Sequence, residues 1–273
     1  VLTTELIFAG IILCLLGGLA GFLAGLLGIG GGAVLVPGLY YIFSSFGYHD
    51  VAMHTAIGTS LLTIIFTGTA SARSHHQQGA VDLMLVKQFT PGIILGVAVG
   101  TFFATLMTTQ ALKIVFASLQ IAFGLYMLFR RSSLALFSNL PHQPWRGLIA
   151  GANAALAALM GVGGGVQNVL YMTICNIPLG RAIGTAAAIG PIIACFGAIG
   201  FAYIGFQTPN QLPMATGYIH WPSFLSIIIT SVAFAPLGAR LTHRLPTLKL
   251  KSIFTVFLFG VSLKMLYEVF TGA

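Results

Sequence analysis

The chain has 273 residues, of which 57% are hydrophobic and 6% charged, with a formal net charge of +8. A soluble domain carries about 25% charged residues, so the composition excludes a soluble enzyme and predicts an all-α polytopic protein whose first partner is the lipid bilayer. Lys and Arg stand singly or in pairs at the ends of apolar runs rather than on one solvated face, which excludes a nucleic-acid partner.

The first apolar run, residues 6–27, is long enough to span, since about 20 apolar residues cross the hydrocarbon core. No basic residue precedes it, so it is read as a retained segment and not as a cleaved signal. It ends in Leu27-Gly28-Ile29-Gly30-Gly31-Gly32, and a short run over 33–46 follows. Glycine permits a tight turn and close approach of a ligand to the backbone. A helix starting at Ala33 aims its unpaired N–H groups at that turn, and such an end attracts anions. Helix packing through small residues is the competing reading. The motif also resembles a dinucleotide fingerprint, but no strand or βαβ unit surrounds it, and no cofactor is expected.

Gly58-Thr59-Ser60 lies near the start of the next run, 55–72. Thr55, Thr59, Thr63, Thr67 and Ser71 recur every fourth residue and share one helix face. The stripe either lines a polar pathway or bonds its own i−4 carbonyls. His54 is read as a proton-sensing gate or an ordinary interfacial histidine, and His75-His76 as solvated loop residues. Runs 89–107 and 115–129 complete the first half, the second extended if Lys113 snorkels to the interface.

After a loop over 130–146, a short run at 148–160 carries Asn153 and ends in Met160-Gly161-Val162-Gly163-Gly164-Gly165. The short run 166–177 then opens on Gln167 and Asn168, where the first copy has Val34 and Leu35. Amides at membrane depth either donate to an anion or bridge helices. Arg181 is read as a topology anchor ahead of Gly184-Thr185-Ala186, and runs 183–206, 224–241 and 253–270 follow. Cys14, Cys175 and Cys195 all fall in apolar segments and read as small hydrophobes. The four acidic residues, Glu5, Asp50, Asp82 and Glu268, lie near the ends of apolar runs, so no carboxylate is expected deep in the membrane. No catalytic set or metal cluster appears in the segments, so an enzyme is not expected.

The two halves repeat one another. Leu27 to Gly32 reappears as Met160 to Gly165, and Ala56-Ile57-Gly58-Thr59 as Ala182-Ile183-Gly184-Thr185. Leu112-Lys113 with Phe116 and Leu125 matches Leu250-Lys251 with Phe254 and Leu263. Loop charge flips between the copies. Arg73 and Lys87 bound loop 74–88, whereas its counterpart 207–222 has neither Lys nor Arg. The nearly bare turn 109–112 corresponds to 242–250, with Arg240, Arg244, Lys249 and Lys251 in or beside it. This predicts two inverted-topology repeats, 1–131 and 147–273, joined by a cytoplasmic linker 132–146, each a glycine-tipped helix hairpin plus three crossings. Both termini then lie outside a cytoplasmic (inner) membrane. Short arms favour re-entry, although 6–27 is long enough to cross.

These motifs resemble the TauE/SafE sulfite exporter family, also described as toluene-sulfonate uptake permeases. The carrying residues are Leu26 to Gly32 with Val36-Pro37, Gly58-Thr59-Ser60-Leu61-Leu62, and Gly79-Ala80-Val81-Asp82, with Gly161 to Gly165 and Ala182 to Thr185 in the second half. The resemblance covers essentially the whole chain and implies transport of sulfite, organosulfonates or related small sulfur-containing anions. Two departures stand out: Gln167-Asn168-Val169-Leu170 replaces an apolar run ending in Val-Pro, and Ala186 replaces a serine.

The expected function is a secondary transporter binding a small anion between the glycine tips; an anion channel and a non-transporting membrane scaffold are the alternatives. The candidate substrate-binding residues are Gly30, Gly31, Gly32, Gly58, Thr59, Ser60, Gly163, Gly164, Gly165, Gln167, Asn168, Gly184 and Thr185.

Overall fold

A computed structural model describes residues 2–28, 30–129, 136–208, 211–242 and 247–271. Ile29 of the first glycine motif, Arg130 and Arg131 just ahead of the linker, and Arg244 lie outside the described residues. The described chain forms ten helices: α1 (Leu2–Leu27), α2 (Gly32–Ser45), α3 (Ala52–Gln77), α4 (Leu83–Thr105), α5 (Thr109–Phe129), α6 (Trp145–Met160), α7 (Gly165–Ile174), α8 (Leu179–Gly205), α9 (Trp221–Leu241) and α10 (Thr247–Thr271). One antiparallel hairpin, β1 (Ala215–Thr216) and β2 (Ile219–His220), precedes α9 inside the segment expected to be a loop.

Among the described residues, five helices are long and apolar enough to cross a membrane: Phe8–Leu27, Ala52–Gln77, Leu83–Thr105, Leu179–Gly205 and Trp221–Leu241. The protein is therefore an all-α polytopic membrane protein apart from that small hairpin. The surface agrees: Phe8, Leu15, Leu95, Phe102, Ile229 and Phe270 are exposed, while Thr59, Ser60, Gln167 and Asn168 are buried. Such a surface requires an apolar solvent. At 1.5 Å per residue, α2, α6 and α7 reach only about 21, 24 and 15 Å, short of a hydrocarbon core of about 30 Å.

Helices pack across the two halves. Glycines on α1 press onto α9: a Cβ on Gly17, Gly21 or Gly25 would meet Ile227 O, Ser231 O or Ala235 O at 2.5, 2.1 and 1.9 Å. Gly92, Gly96 and Gly100 of α4 press in the same way on Gly147 O, Gly151 O and Ala155 O of α6, at 2.1, 2.0 and 2.3 Å. In both pairs residue numbers rise together, so the helices run parallel. Small side chains at four-residue spacing allow this backbone contact. The central pair, α3 and α8, runs antiparallel, with Gly58 beside Phe201, Gly197 beside Leu61 and Gly68 beside Pro191. Antiparallel packing also joins α5 to α10, where Gly124 faces Thr255 and Phe259.

Helix α3 begins earlier and ends later than the run 55–72, and this corrects one expectation. His75 is a buried residue of the last turn of α3, with Nε2 3.0 Å from Gly25 O, and not a solvated loop residue. His54 is likewise buried, stacked on Tyr218 with ring centroids 4.9 Å apart and Nε2 3.1 Å from Ala104 O.

Candidate functional site

Each glycine turn is built the same way. Gly31 caps the N-terminus of α2 at φ 75°, and Gly164 caps that of α7 at φ 68°. Both are left-handed, where a side chain carries strain. The turns meet at the centre of the protein. A Cβ on Gly30 would lie 3.2 Å from Gly163 N, and one on Gly32 would lie 2.3 Å from Gly161 O. On one side of this contact Gly28, Gly30, Gly68, Ser71 and Gly190 close together and leave no room for water.

On the other side the first turns of α2 and α7 open onto a small cavity of about 20 Å³, lined by Ala33, Gly165, Val166 and Gln167 with Gln120 of α5 and Leu258 of α10. The first N–H groups of a helix have no partner within it, and two helix starts border this cavity. Gln120 and Gln167 are each 2% exposed, and the Oε1 atom of each has no hydrogen-bond partner. Their Nε2 atoms make only long contacts, 3.4 Å to Ala33 O and 3.6 Å to Met160 Sδ. A buried amide left half-satisfied is costly. Asn168 is fully buried; its Nδ2 donates to Gly164 O at 2.8 Å, and its Oδ1 has no partner. A larger hollow, about 550 Å³, lies elsewhere, between α4 and α8, beside the exposed Phe102 and Ile199, and no tip residue lines it.

Several of the hydroxyls predicted to line a pathway have protein partners, whereas the buried Ser71 hydroxyl has none among the described residues. Ser60 Oγ donates to Gly161 O at 2.8 Å and so ties α3 to the second turn. Thr63 and Thr67 donate to the carbonyls of Thr59 and Thr63, and Thr67 also meets Ser231 of α9. Thr59 Oγ1 accepts from His220 N at 3.0 Å, and Thr185 Oγ1 accepts from Asp82 N at 3.0 Å. Each Gly-Thr pair therefore grips the residue that caps a long helix of the other half: Thr59 holds His220, which caps α9, and Thr185 holds Asp82, which caps α4. Burial holds the His220 imidazole below the usual histidine range, which keeps Nδ1 free to accept from Ser223 N. Gly58 and Gly184 make room for these caps, since a Cβ there would sit 2.3 Å from Tyr218 O and 2.5 Å from Ala80 O. Arg181, exposed, pairs with Asp82 at 3.1 Å.

The structure thus gathers Gly30, Gly31, Gly32, Gly163, Gly164, Gly165, Gln167 and Asn168 at the centre. It places Gly58, Thr59, Gly184 and Thr185 one layer away, at the caps. Gln120 was missed: a lone glutamine in an apolar run carries no local signal. The correspondence of Gly79-Ala80-Val81-Asp82 with Gly217-Tyr218-Ile219-His220 was also missed, because the two share only their glycine. Both glycines adopt positive φ, 70° and 58°.

The family model described as "Sulfite exporter TauE/SafE" matches residues 13–265. A Haemophilus influenzae protein named "probable membrane transporter protein" is 36% identical over 94% of this chain and 98% of its own length. The Bacillus subtilis "probable membrane transporter protein YunE" is 24% identical over 94% of this chain and 97% of its own. A Methanocaldococcus jannaschii protein of like name is 25% identical over 93% and 94%. No solved structure matches the chain.

Proposed function

The chain belongs to the sulfite exporter TauE/SafE family, and from that premise we propose that it is a secondary transporter of small sulfur-containing anions, sulfite or organosulfonates, in the cytoplasmic membrane. The observation that carries the reading is the convergence of two short helices, each started by a left-handed glycine, on one buried cavity with two amide side chains. Backbone N–H groups and amides stabilise an anion without a buried cation, so the site can release what it binds. The arrangement fits two inverted repeats, 1–131 and 147–273, joined by a cytoplasmic linker. The antiparallel pairing of α3 with α8 and of α5 with α10, and the exchanged packing of α1 on α9 and α6 on α4, support it. So does the insufficient length of α2, α6 and α7, which favours re-entrant hairpins with both termini outside.

With Gly30 against Gly163 the tips are closed. Alternating access on this reading separates that contact, first toward one face and then toward the other. The test is flux of radiolabelled sulfite and small sulfonates in proteoliposomes. Saturable uptake with counterflow is expected. Non-saturating conductance would make the protein a channel, and no flux of any anion would leave the glycines as packing elements only. Topology is checked with single cysteines: one in loop 207–222 should react with impermeant reagents from outside, and one in loop 74–88 only from the cytoplasm.

A further inference from the structure

Two turns along α5 from Gln120, a second polar cluster is buried between α5, α10 and α2. Lys113 Nζ donates to Glu268 Oε2 at 3.2 Å, and Lys264 Nζ lies 3.8 Å from Glu268 Oε1. Each ammonium also sits over a ring, Lys113 over Tyr40 at 4.7 Å and Lys264 over Tyr41 at 4.1 Å. The Tyr41 hydroxyl is buried near the Glu268 carboxylate yet lacks hydrogen-bond geometry to any partner among the described residues. One carboxylate faces two ammoniums, so the cluster holds one positive charge in excess. Side-chain exposure falls from 63% at Lys264 through 17% at Glu268 to 6% at Lys113. Helix pairing alone does not call for this: a buried ion pair is weak evidence for stability, and an apolar pair often serves as well.

We propose that this cluster is a second anion site, in which the Glu268 carboxylate occupies at rest the place that a substrate oxyanion takes on its way to the cavity at Gln120 and Gln167. The proposal rests on the transport reading above, whose topology puts this end of α5 and α10 outside. A carboxylate and a sulfite or sulfonate group offer the same acceptor oxygens to an ammonium. The seven residues from Lys113 to Gln120 span about 10 Å on one helix face, a single step for a small anion. By the offset that pairs Gly31 with Gly164, the counterparts of Tyr40 and Tyr41 are Thr173 and Ile174, so the ring pair equips one end only.

The experiment measures KM for sulfite in proteoliposomes. E268Q removes the resident competitor and should lower KM roughly tenfold, and K113Q should raise it by at least roughly tenfold. The double variant K113Q/E268Q should keep the raised KM. If the pair is only structural, both single variants lose transport and thermal stability while the double variant regains the KM of the unsubstituted protein, and the proposal is overturned. Should E268Q not fold, K264Q at the exposed end is the second probe. A several-fold rise in KM with an unchanged melting temperature is expected, and an unchanged KM overturns the proposal. Absence of saturable flux in the unsubstituted protein overturns the transport reading and this site with it.

Discussion

The two glycine turns share a backbone and differ in what decorates it. Gly31 and Gly164 take the same left-handed conformation at the same helix position. Yet α2 continues with Val34 and Leu35, and α7 with Gln167 and Asn168. Ser60 of α3 reaches the second turn, while its counterpart Ala186 of α8 offers the first turn no hydroxyl. Gln120 and its counterpart Leu258 both line the cavity, one polar and one apolar. The lesson is that duplication supplies the mould, two helix starts and a closed contact, and the side chains around it are free to differ.

The largest effects should come from breaking the shared mould. Gly31→Val and Gly164→Val should each abolish substrate-dependent thermal stabilisation. They should differ in fold damage. A side chain at Gly31 meets the Ala20 carbonyl at 2.7 Å, whereas one at Gly164 first meets the flexible end of Ile193 at 2.6 Å. Gly31→Ala should therefore lower the melting temperature more than Gly164→Ala, each beyond the roughly 1–2 kcal/mol of left-handed strain alone. Gly124→Ala, whose new methyl would meet Phe259 at an ordinary 3.4 Å, should stay within about 0.5 kcal/mol of the unsubstituted protein.

Removing the decoration tests the asymmetry itself. Gln120→Leu and Gln167→Leu should each raise the KM for sulfite by about one to two decades, the loss of one hydrogen bond to a charged ligand. Stability should hold or rise, because each substitution deletes a buried acceptor that has no partner. A fall in stability with an unchanged KM would make these amides structural. Ser60→Ala should follow with a smaller effect, about 0.5–1.5 kcal/mol of stability for its bond to the Gly161 carbonyl. The smallest effect belongs to Thr63→Val. Its hydroxyl bonds its own helix at Thr59 O, so a change under about 0.5 kcal/mol and an unaltered KM are expected. A large rise in KM there would restore the hydroxyl stripe as a pathway.

Much of the fold was legible because its signals are local. Apolar run length gives the helices, and glycine clusters interrupt them where a left-handed residue is required, as at Gly31 and Gly164. Internal repetition in the sequence points to the second glycine turn once the first is seen. The site was legible only in part. Four-residue spacing places Thr59, Thr63 and Thr67 on one face but says nothing of what faces them. The answers, the His220 amide, the helix's own carbonyls and Ser231, come from the chain's own backbone and from α9. Gln120 needed the fold, since only its approach to Ala33 at the start of α2 turns an isolated amide into part of a cavity. His75 was misplaced because helix α3 runs a full turn past its apolar stretch, its end buried against Gly25 of α1.

The packing of α1 on α9 also sets a timetable for assembly. The partners Cys14 and Ser226 lie 212 residues apart. At roughly 5–20 residues per second, a ribosome needs on the order of 10–40 s to deliver the second after the first. During that interval the glycine face of α1 has no protein to rest on. A helix made before α2 to α8 is thus among the last to find its place, and a chain truncated before α9 should remain a target for membrane quality control even with its first half intact.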